Sequence, residues 1–184
     1  MRLIGVVSSL ACALALAGCG VDPDAVPPGE EPPSVVEDEP AVLDLQASGI
    51  IVPPQGGFEQ LEVPFGSSRI GTEATLENVL GEPVDSRSVT GDCWLAQVQY
   101  AGLTVNFDGA GEFVGYYATA PFVWELTRAE MLDDPQVVLI EDSTLGEEFT
   151  IGPPQGAAIA GLFAGEEDGA EVEALWAGDN CIMR

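Results

Sequence analysis

Two Asp-Gly dipeptides, each set between short runs rich in apolar residues, constrain the fold of this chain more than any other feature. The first, Asp108-Gly109, follows the alternating run Leu103–Phe107 and precedes a second run, Glu112–Tyr117. The other, Asp168-Gly169, separates two further runs in the same way. Because Asp-Gly readily adopts the positive φ angles of tight turns, the sequence predicts antiparallel β-hairpins at both places.

Short helices are predicted ahead of these hairpins. The stretch Thr72–Leu80 carries one apolar stripe and is followed by Gly81, which can adopt the left-handed conformation of a helix end. A capping box is formed by Thr127 and Glu130, and Asp134-Pro135 prevents that helix from continuing. The order predicts an α+β fold, with short helices packed on antiparallel β-sheet in two related helix-plus-sheet halves.

The N-terminal residues predict export and lipid attachment. Residues 1–18 begin with one arginine and continue as an apolar run too short to span a membrane, which is typical of a signal peptide. The run ends in Leu16-Ala17-Gly18-Cys19, which resembles a bacterial lipobox. That resemblance implies that Cys19 is acylated on sulfur and becomes the first residue of a protein anchored on the extracytoplasmic face of the cell membrane. An ordinary signal peptide cut elsewhere is the alternative.

A composition change divides the rest of the chain into a tether and a domain. Residues 19–47 are rich in proline and acidic residues and lack cations. They can bury too little apolar surface to offset the conformational entropy that the segment would lose on folding. We expect a disordered spacer there and a folded α+β domain over residues 48–184, with halves of about 48–118 and 119–184.

The charged residues exclude several classes of function. The chain has 31 Asp and Glu but only 5 basic residues, all arginine, and its formal net charge is −26. The chain therefore lacks the clustered basic residues that bind the phosphate backbone, which excludes nucleic-acid binding. Histidine and lysine are absent, so imidazole bases, histidine metal ligands and lysine Schiff bases are excluded. We expect no cofactor and no enzymatic activity.

Two cysteines, Cys93 and Cys181, remain beyond the lipobox. Because thiols of an exported protein usually pair, the sequence predicts a structural disulfide between them. A redox-active pair is the alternative, although the spacing does not resemble a C-x-x-C motif.

Aromatic residues on the predicted strands are the candidates for a binding surface. Neighbouring strand residues point to opposite faces, so at least one of Tyr116 and Tyr117 is expected to be exposed. Together with Trp94 they are predicted to contact a protein partner. The alternative is core packing with one stray tyrosine at an edge.

Several sequence motifs resemble those of uncharacterised exported actinobacterial lipoproteins. The matching segments are Val63–Ser68, Leu80–Pro83, Gly91–Cys93, Gly102–Phe107, Val114–Tyr116 and Val172–Arg184. At the level of fold, the likeness suggests the tandem helix-plus-sheet modules of β-lactamase inhibitor proteins and of SmpA/OmlA-like outer-membrane lipoproteins. The resemblance implies a location and a fold but no activity.

The sequence therefore favours a lipid-anchored extracytoplasmic lipoprotein with a non-catalytic, protein-binding role. Two alternatives stay open. Paired carboxylates could act on cell-wall polysaccharide, and clustered carboxylates could make a calcium-dependent binding module, although no calcium-loop motif is present.

Overall fold

The computed structural model describes residues 41–55, 57, 59–88, 93–153 and 156–182, the side chain of residue 88 excepted. Within them the chain forms a three-stranded sheet, an eight-stranded sheet and two short helices, and both sheets are antiparallel. The predicted α+β class is confirmed. The signal peptide, Cys19 and most of the predicted tether lie outside the described residues.

The small sheet is built from the first three strands in chain order. These are β1 (Asp44–Gln46), β2 (Gly49–Val52) and β3 (Leu61–Pro64). The tether was predicted to continue to residue 47, which is wrong at its C-terminal end because β1 pairs with β2 and Leu45 is buried. A three-residue strand with a single buried side chain gives too weak a sequence pattern to stand out from an acidic segment.

The large sheet consists of two four-stranded meanders placed side by side. The first contains β4 (Asp85–Ser88), β5 (Ala96–Tyr100), β6 (Leu103–Phe107) and β7 (Phe113–Ala118). The second contains β8 (Val137–Leu139), β9 (Glu148–Ile151), β10 (Ile159–Phe163) and β11 (Val172–Gly178). The strand order β4-β5-β6-β7-β11-β10-β9-β8 makes the last strand of each meander the centre of the sheet.

Each meander is preceded by a helix that begins in the same way. Helix α1 (Arg69–Leu80) has Ser68 as its N-cap, and helix α2 (Arg128–Leu132) has Thr127 with the predicted capping box. Both cap residues also form an isolated β-bridge, Ser68 with Glu112 and Thr127 with Glu171. These common junctions support the predicted division into two related halves.

The core lies between the large sheet, helix α1 and the small sheet. Residues from all three form one buried cluster, among them Leu45 of β1, Leu76 of α1 and Val105 of β6. Side chains paired across an antiparallel ladder project to the same face, and neighbours along a strand project to opposite faces. One face of the large sheet is therefore the core face, and we call the opposite one the outer face.

Candidate functional site

The outer face of the first meander contains a cavity of about 350 Å³. Its walls are polar side chains from β4, β5 and β6, one aromatic residue from β7, and the C-terminal segment. The lining residues are Arg87, Gln97, Gln99, Gly102, Leu103, Thr104, Tyr117, Thr119, Asn180, Cys181 and Ile182. The volume is at the lower end of the range of ligand pockets, which suits a group the size of one or two side chains.

A chain of hydrogen bonds runs along one side of this cavity. Arg87 donates through Nε to Oε1 of Gln97 at 3.2 Å, and Gln97 donates through Nε2 to Oδ1 of Asn106 at 2.9 Å. Asn106 in turn donates to Oδ1 of Asn180 at 2.6 Å. Asn106 is buried, so the chain satisfies a polar group that would otherwise destabilise the fold.

The C-terminal segment is held across the outer face by three features. Asn106 also donates to the carbonyl oxygen of Asp179 at 3.2 Å. Gly115 leaves room for the segment, because a Cβ atom there would collide with the backbone of Asp179. The predicted disulfide Cys93–Cys181 is confirmed, with a Cα–Cα distance of 5.7 Å. It connects the segment to the loop before β5.

An aromatic pair occupies the centre of the outer face. Tyr117 and Trp176 are cross-strand partners on β7 and β11, and their rings stack with centroids 6.0 Å apart. Trp176 is buried, whereas Tyr117 is partly exposed and lines the cavity. Burial, and to a smaller extent the carboxylate of Glu173, raises the pKa of the Tyr117 phenol. Tyr117 therefore presents a neutral hydroxyl on a ring that its neighbour fixes in place.

The structure separates the aromatic residues that the sequence grouped together. Tyr117 lies on the outer face, as required of a contact residue, and Trp94 is 75% exposed beside Cys93. Tyr116 is fully buried, and its hydroxyl donates to the carbonyl oxygen of Gln46 at 3.1 Å. The prediction that Tyr116 contacts a partner is corrected, because the alternation of the strand directs it into the core. Burial also raises its pKa.

The two meanders differ in the polarity of their outer faces. At matching ladder positions, the pair Gln97 and Asn106 of the first meander corresponds to Glu148 and Leu162 of the second. In the second meander, the chain after β8 approaches this face, since Ser143 donates to Oε2 of the buried Glu148 at 2.6 Å. The cavity described above is lined by residues of the first meander and of the C-terminal segment.

The arginines of the described region also differ from one another. Arg69 forms an ion pair with Glu73 at 2.7 Å, and Arg128 forms one with Glu147 at 3.0 Å. Among the described residues, Arg87 has no carboxylate partner, and the one hydrogen bond of its side chain goes to a neutral amide. Arg87 and the amides beside it were not predicted from the sequence. The polar residues Gln97 and Gln99, which alternate with Val98 and Tyr100, were the available signal.

Comparisons with known proteins found no relative of this chain. No protein family, curated protein or solved structure matches the chain. In the described part of the chain, no helix is long and apolar enough to cross a membrane. The same residues contain no group of three or more Cys, Asp and Glu side chains arranged to hold a metal ion.

Proposed function

We propose that this protein is a lipid-anchored lipoprotein on the extracytoplasmic face of the cell membrane, and that it binds a protein partner without catalysis. The contact surface is the outer face of the first meander, with Tyr117 at its centre and Trp94 beside it. Attachment through Cys19 keeps this surface outside the cell.

The observation that carries the proposal is the combination of a fixed aromatic ring that lines a polar cavity and an exposed one next to the disulfide at the wall of that cavity. Tyr117 stacks on the buried Trp176 and lines the cavity, and Trp94 adjoins Cys93, whose disulfide partner Cys181 is also part of the wall. Tyrosine and tryptophan dominate the energetics of protein interfaces, since they bury a large area while losing little conformational entropy. Trp94 is 75% exposed, so most of its surface is available to a partner.

The proposed location is supported by two independent features of the chain. The segment Leu16-Ala17-Gly18-Cys19 has the residue types of a lipobox. The disulfide Cys93–Cys181 is a bond that persists in oxidising compartments and is rare in the cytosol. Radiolabelled palmitate should enter the wild-type protein and not Cys19→Ser. Equal labelling of both proteins would contradict the anchor.

Site-specific photo-crosslinking on living cells tests the binding surface. A benzophenone amino acid is placed at position 94 or at position 70, because Trp94 and Ile70 are similarly exposed, at 75% and 82%. Ile70 belongs to α1, which packs on the core face, so it serves as the matched control. We expect a discrete adduct from position 94 that is absent from position 70.

The adduct must also depend on the proposed centre of the surface. Adding Tyr117→Ala to the position-94 variant should reduce the yield of the adduct about tenfold, the loss typical of a contact worth more than 1 kcal/mol. Adducts of equal yield from positions 94 and 70, or a yield that Tyr117→Ala leaves unchanged, would exclude the outer face as the binding surface.

A further inference from the structure

We propose that Arg87 anchors a carboxylate side chain of the protein partner, which enters the cavity on the outer face. This inference rests on the proposed function and names the chemistry that the partner must present. Three observations lead to it: the absence of a carboxylate partner for Arg87 among the described residues, the direction of the amide chain, and the unpaired side chains in the cavity that can donate a hydrogen bond.

The first observation is that Arg87 has no ion-pair partner among the residues that the structure describes. The other arginines of the described region, Arg69 and Arg128, are paired with carboxylates of this chain. Arg87 uses Nε toward Gln97 and lines the cavity. A guanidinium has five N–H donors, and its planar fork matches the two oxygens of a carboxylate.

The second observation is that the hydrogen-bond chain has only one possible direction. At its far end, Asn180 donates to the carbonyl oxygens of Ala177 and Gly178, at 2.9 and 3.2 Å, and carbonyl oxygens can only accept. Its Oδ1 must then accept from Asn106, and the same order passes through Gln97 to the guanidinium, which can only donate. The chain fixes Arg87 at the edge of the cavity without neutralising its charge.

The third observation is that the cavity is lined by several side chains that can donate a hydrogen bond and have no partner among the described residues. Within the described residues, the hydroxyls of Thr104, Thr119 and Tyr117 have no hydrogen-bond partner, and the amide of Gln99 is also unpaired. Hydroxyl and amide groups can donate or accept, whereas Arg87 can only donate, so a ligand that contacts Arg87 must present acceptors, to which the other groups can also donate. A carboxylate is such a ligand, and about 350 Å³ accommodates an Asp or Glu side chain with its immediate neighbours.

A protein-borne carboxylate suits this site better than a free anion because of the charge of the whole chain. A formal net charge of −26 repels small anions at long range. At physiological ionic strength the Debye length is about 8 Å, so at contact either kind of anion meets mainly the local field of Arg87, but only a carboxylate carried by a partner gains the surrounding protein contacts that offset the long-range repulsion.

Arginine side-chain NMR tests the anchor directly, because the chain has only five arginines and no lysine. The full-length protein in detergent micelles is titrated with N-acetyl-glutamate amide, with N-acetyl-glutamine amide as the isosteric neutral probe, and with inorganic phosphate. Arg87→Gln identifies the Nε–H signal of Arg87. Arg69→Gln is the matched control, since it removes the same charge from another site.

We expect the glutamate probe to shift the Arg87 signal and the Tyr117 ring signals saturably, with an affinity about tenfold above that of the glutamine probe. The signals of Arg69 and Arg128 should stay in place because their own carboxylates occupy them. Arg87→Gln should abolish the response at Tyr117, and Arg69→Gln should preserve it. Equal responses to the two amino-acid probes, an equal or stronger response to phosphate, or parallel shifts of all arginines would each overturn the proposal.

The crosslinking assay separates this inference from the function on which it rests. Arg87→Gln should lower the position-94 adduct about tenfold, while Arg69→Gln leaves it unchanged. If the adduct persists in Arg87→Gln, the carboxylate anchor is wrong and the binding surface stands. If the wild type gives no adduct while Arg87 still discriminates the glutamate probe, the anion site stands and the proposed protein partner does not.

Discussion

Tyr117 and Trp176 stack across the central strand pair of the large sheet. They occupy equivalent positions in the two halves of the chain. The two N-caps and their bridge partners are separated by the same interval (127 − 68 and 171 − 112 both give 59). Tyr117 and Trp176 differ by that interval as well, and they pair with each other. The local twofold axis that relates the halves therefore passes between these two rings.

This pairing predicts a measurable coupling between the two aromatic residues. Tyr117→Leu and Trp176→Leu should be non-additive by about 0.5–1.5 kcal/mol in the free energy of unfolding, the range for stacked aromatic pairs. Urea denaturation of the two single variants and the double variant measures the coupling. The pair Tyr117→Leu and Trp94→Leu should be additive, because Trp94 is largely exposed. A coupled second pair would show that the effect is not specific to the stack.

We predict that glycine is required at position 115 because a side chain there would collide with the C-terminal segment. The backbone conformation of Gly115 does not itself require glycine. Its φ angle is in the ordinary region, and a methyl group would meet the backbone of Asp179. Gly115→Ala should lower the free energy of unfolding by about 1–3 kcal/mol through overpacking. Gly109→Ala is the control, because nothing lies within 4 Å of a Cβ atom there. Equal denaturation midpoints for the two variants would contradict this account.

The disulfide is predicted to be a major stabilising element. Cys93 and Cys181 are 88 positions apart, so removing the bond restores a large amount of conformational entropy to the unfolded chain. Replacing both cysteines with alanine should lower the free energy of unfolding by roughly 4 kcal/mol. Alkylation of the unreduced wild type under denaturing conditions checks the bond itself. Labelling of both Cys93 and Cys181 there would contradict it.

The tyrosines predict a loss of stability at alkaline pH. Burial is the largest cause that raises the pKa of Tyr100, Tyr116 and Tyr117. The pKa of Tyr100 rises to about 12, and the carboxylates of Glu77 and Glu73 add to the effect of burial there. The unfolded phenols titrate near the ordinary value of 10.0. Stability contributed by the neutral phenols is therefore fully present below pH 10 and is lost as the pH rises through the folded pKa values.

Tyrosinate absorbance measures this directly. The folded protein should show no tyrosine titrating at the position found in denaturant, and its urea midpoint should fall as the pH rises above 10. Tyr117→Phe should remove one of the three titrations and leave the other two in place. A folded-state titration that coincides with the denatured one would contradict the burial of these side chains.

Local signals in the sequence accounted for most of the elements of the two halves. The helix ending at Gly81, the capping box of Thr127 and Glu130, and the two hairpin turns depend on interactions between residues close in the chain. The hairpins form where the Asp-Gly dipeptides predicted them, but neither Gly109 nor Gly169 has a positive φ. In the first turn Gly111 takes that conformation, and the Asp108 carboxylate accepts from the amides of Ala110 and Glu112. Strands β1 and β4 escaped detection because they are short and lie at sheet edges, where few buried side chains reveal a period. Arg87 belongs to β4, so the cavity was missed for the same reason.

The sequence alone determined the classes of chemistry that are excluded, the pairing of the two cysteines, and the alternation that places Tyr116 and Tyr117 on opposite faces. It could not determine which tyrosine is buried, because a period of two residues fits either orientation of the strand equally well. Packing against the small sheet decided this, since Tyr116 contacts Gln46, a residue 70 positions away. The tertiary structure alone also joined β7 to β11 and brought Arg87, Tyr117 and Asn180 to one cavity. Contacts between distant segments form only when the whole sheet is assembled, so no local pattern encodes them.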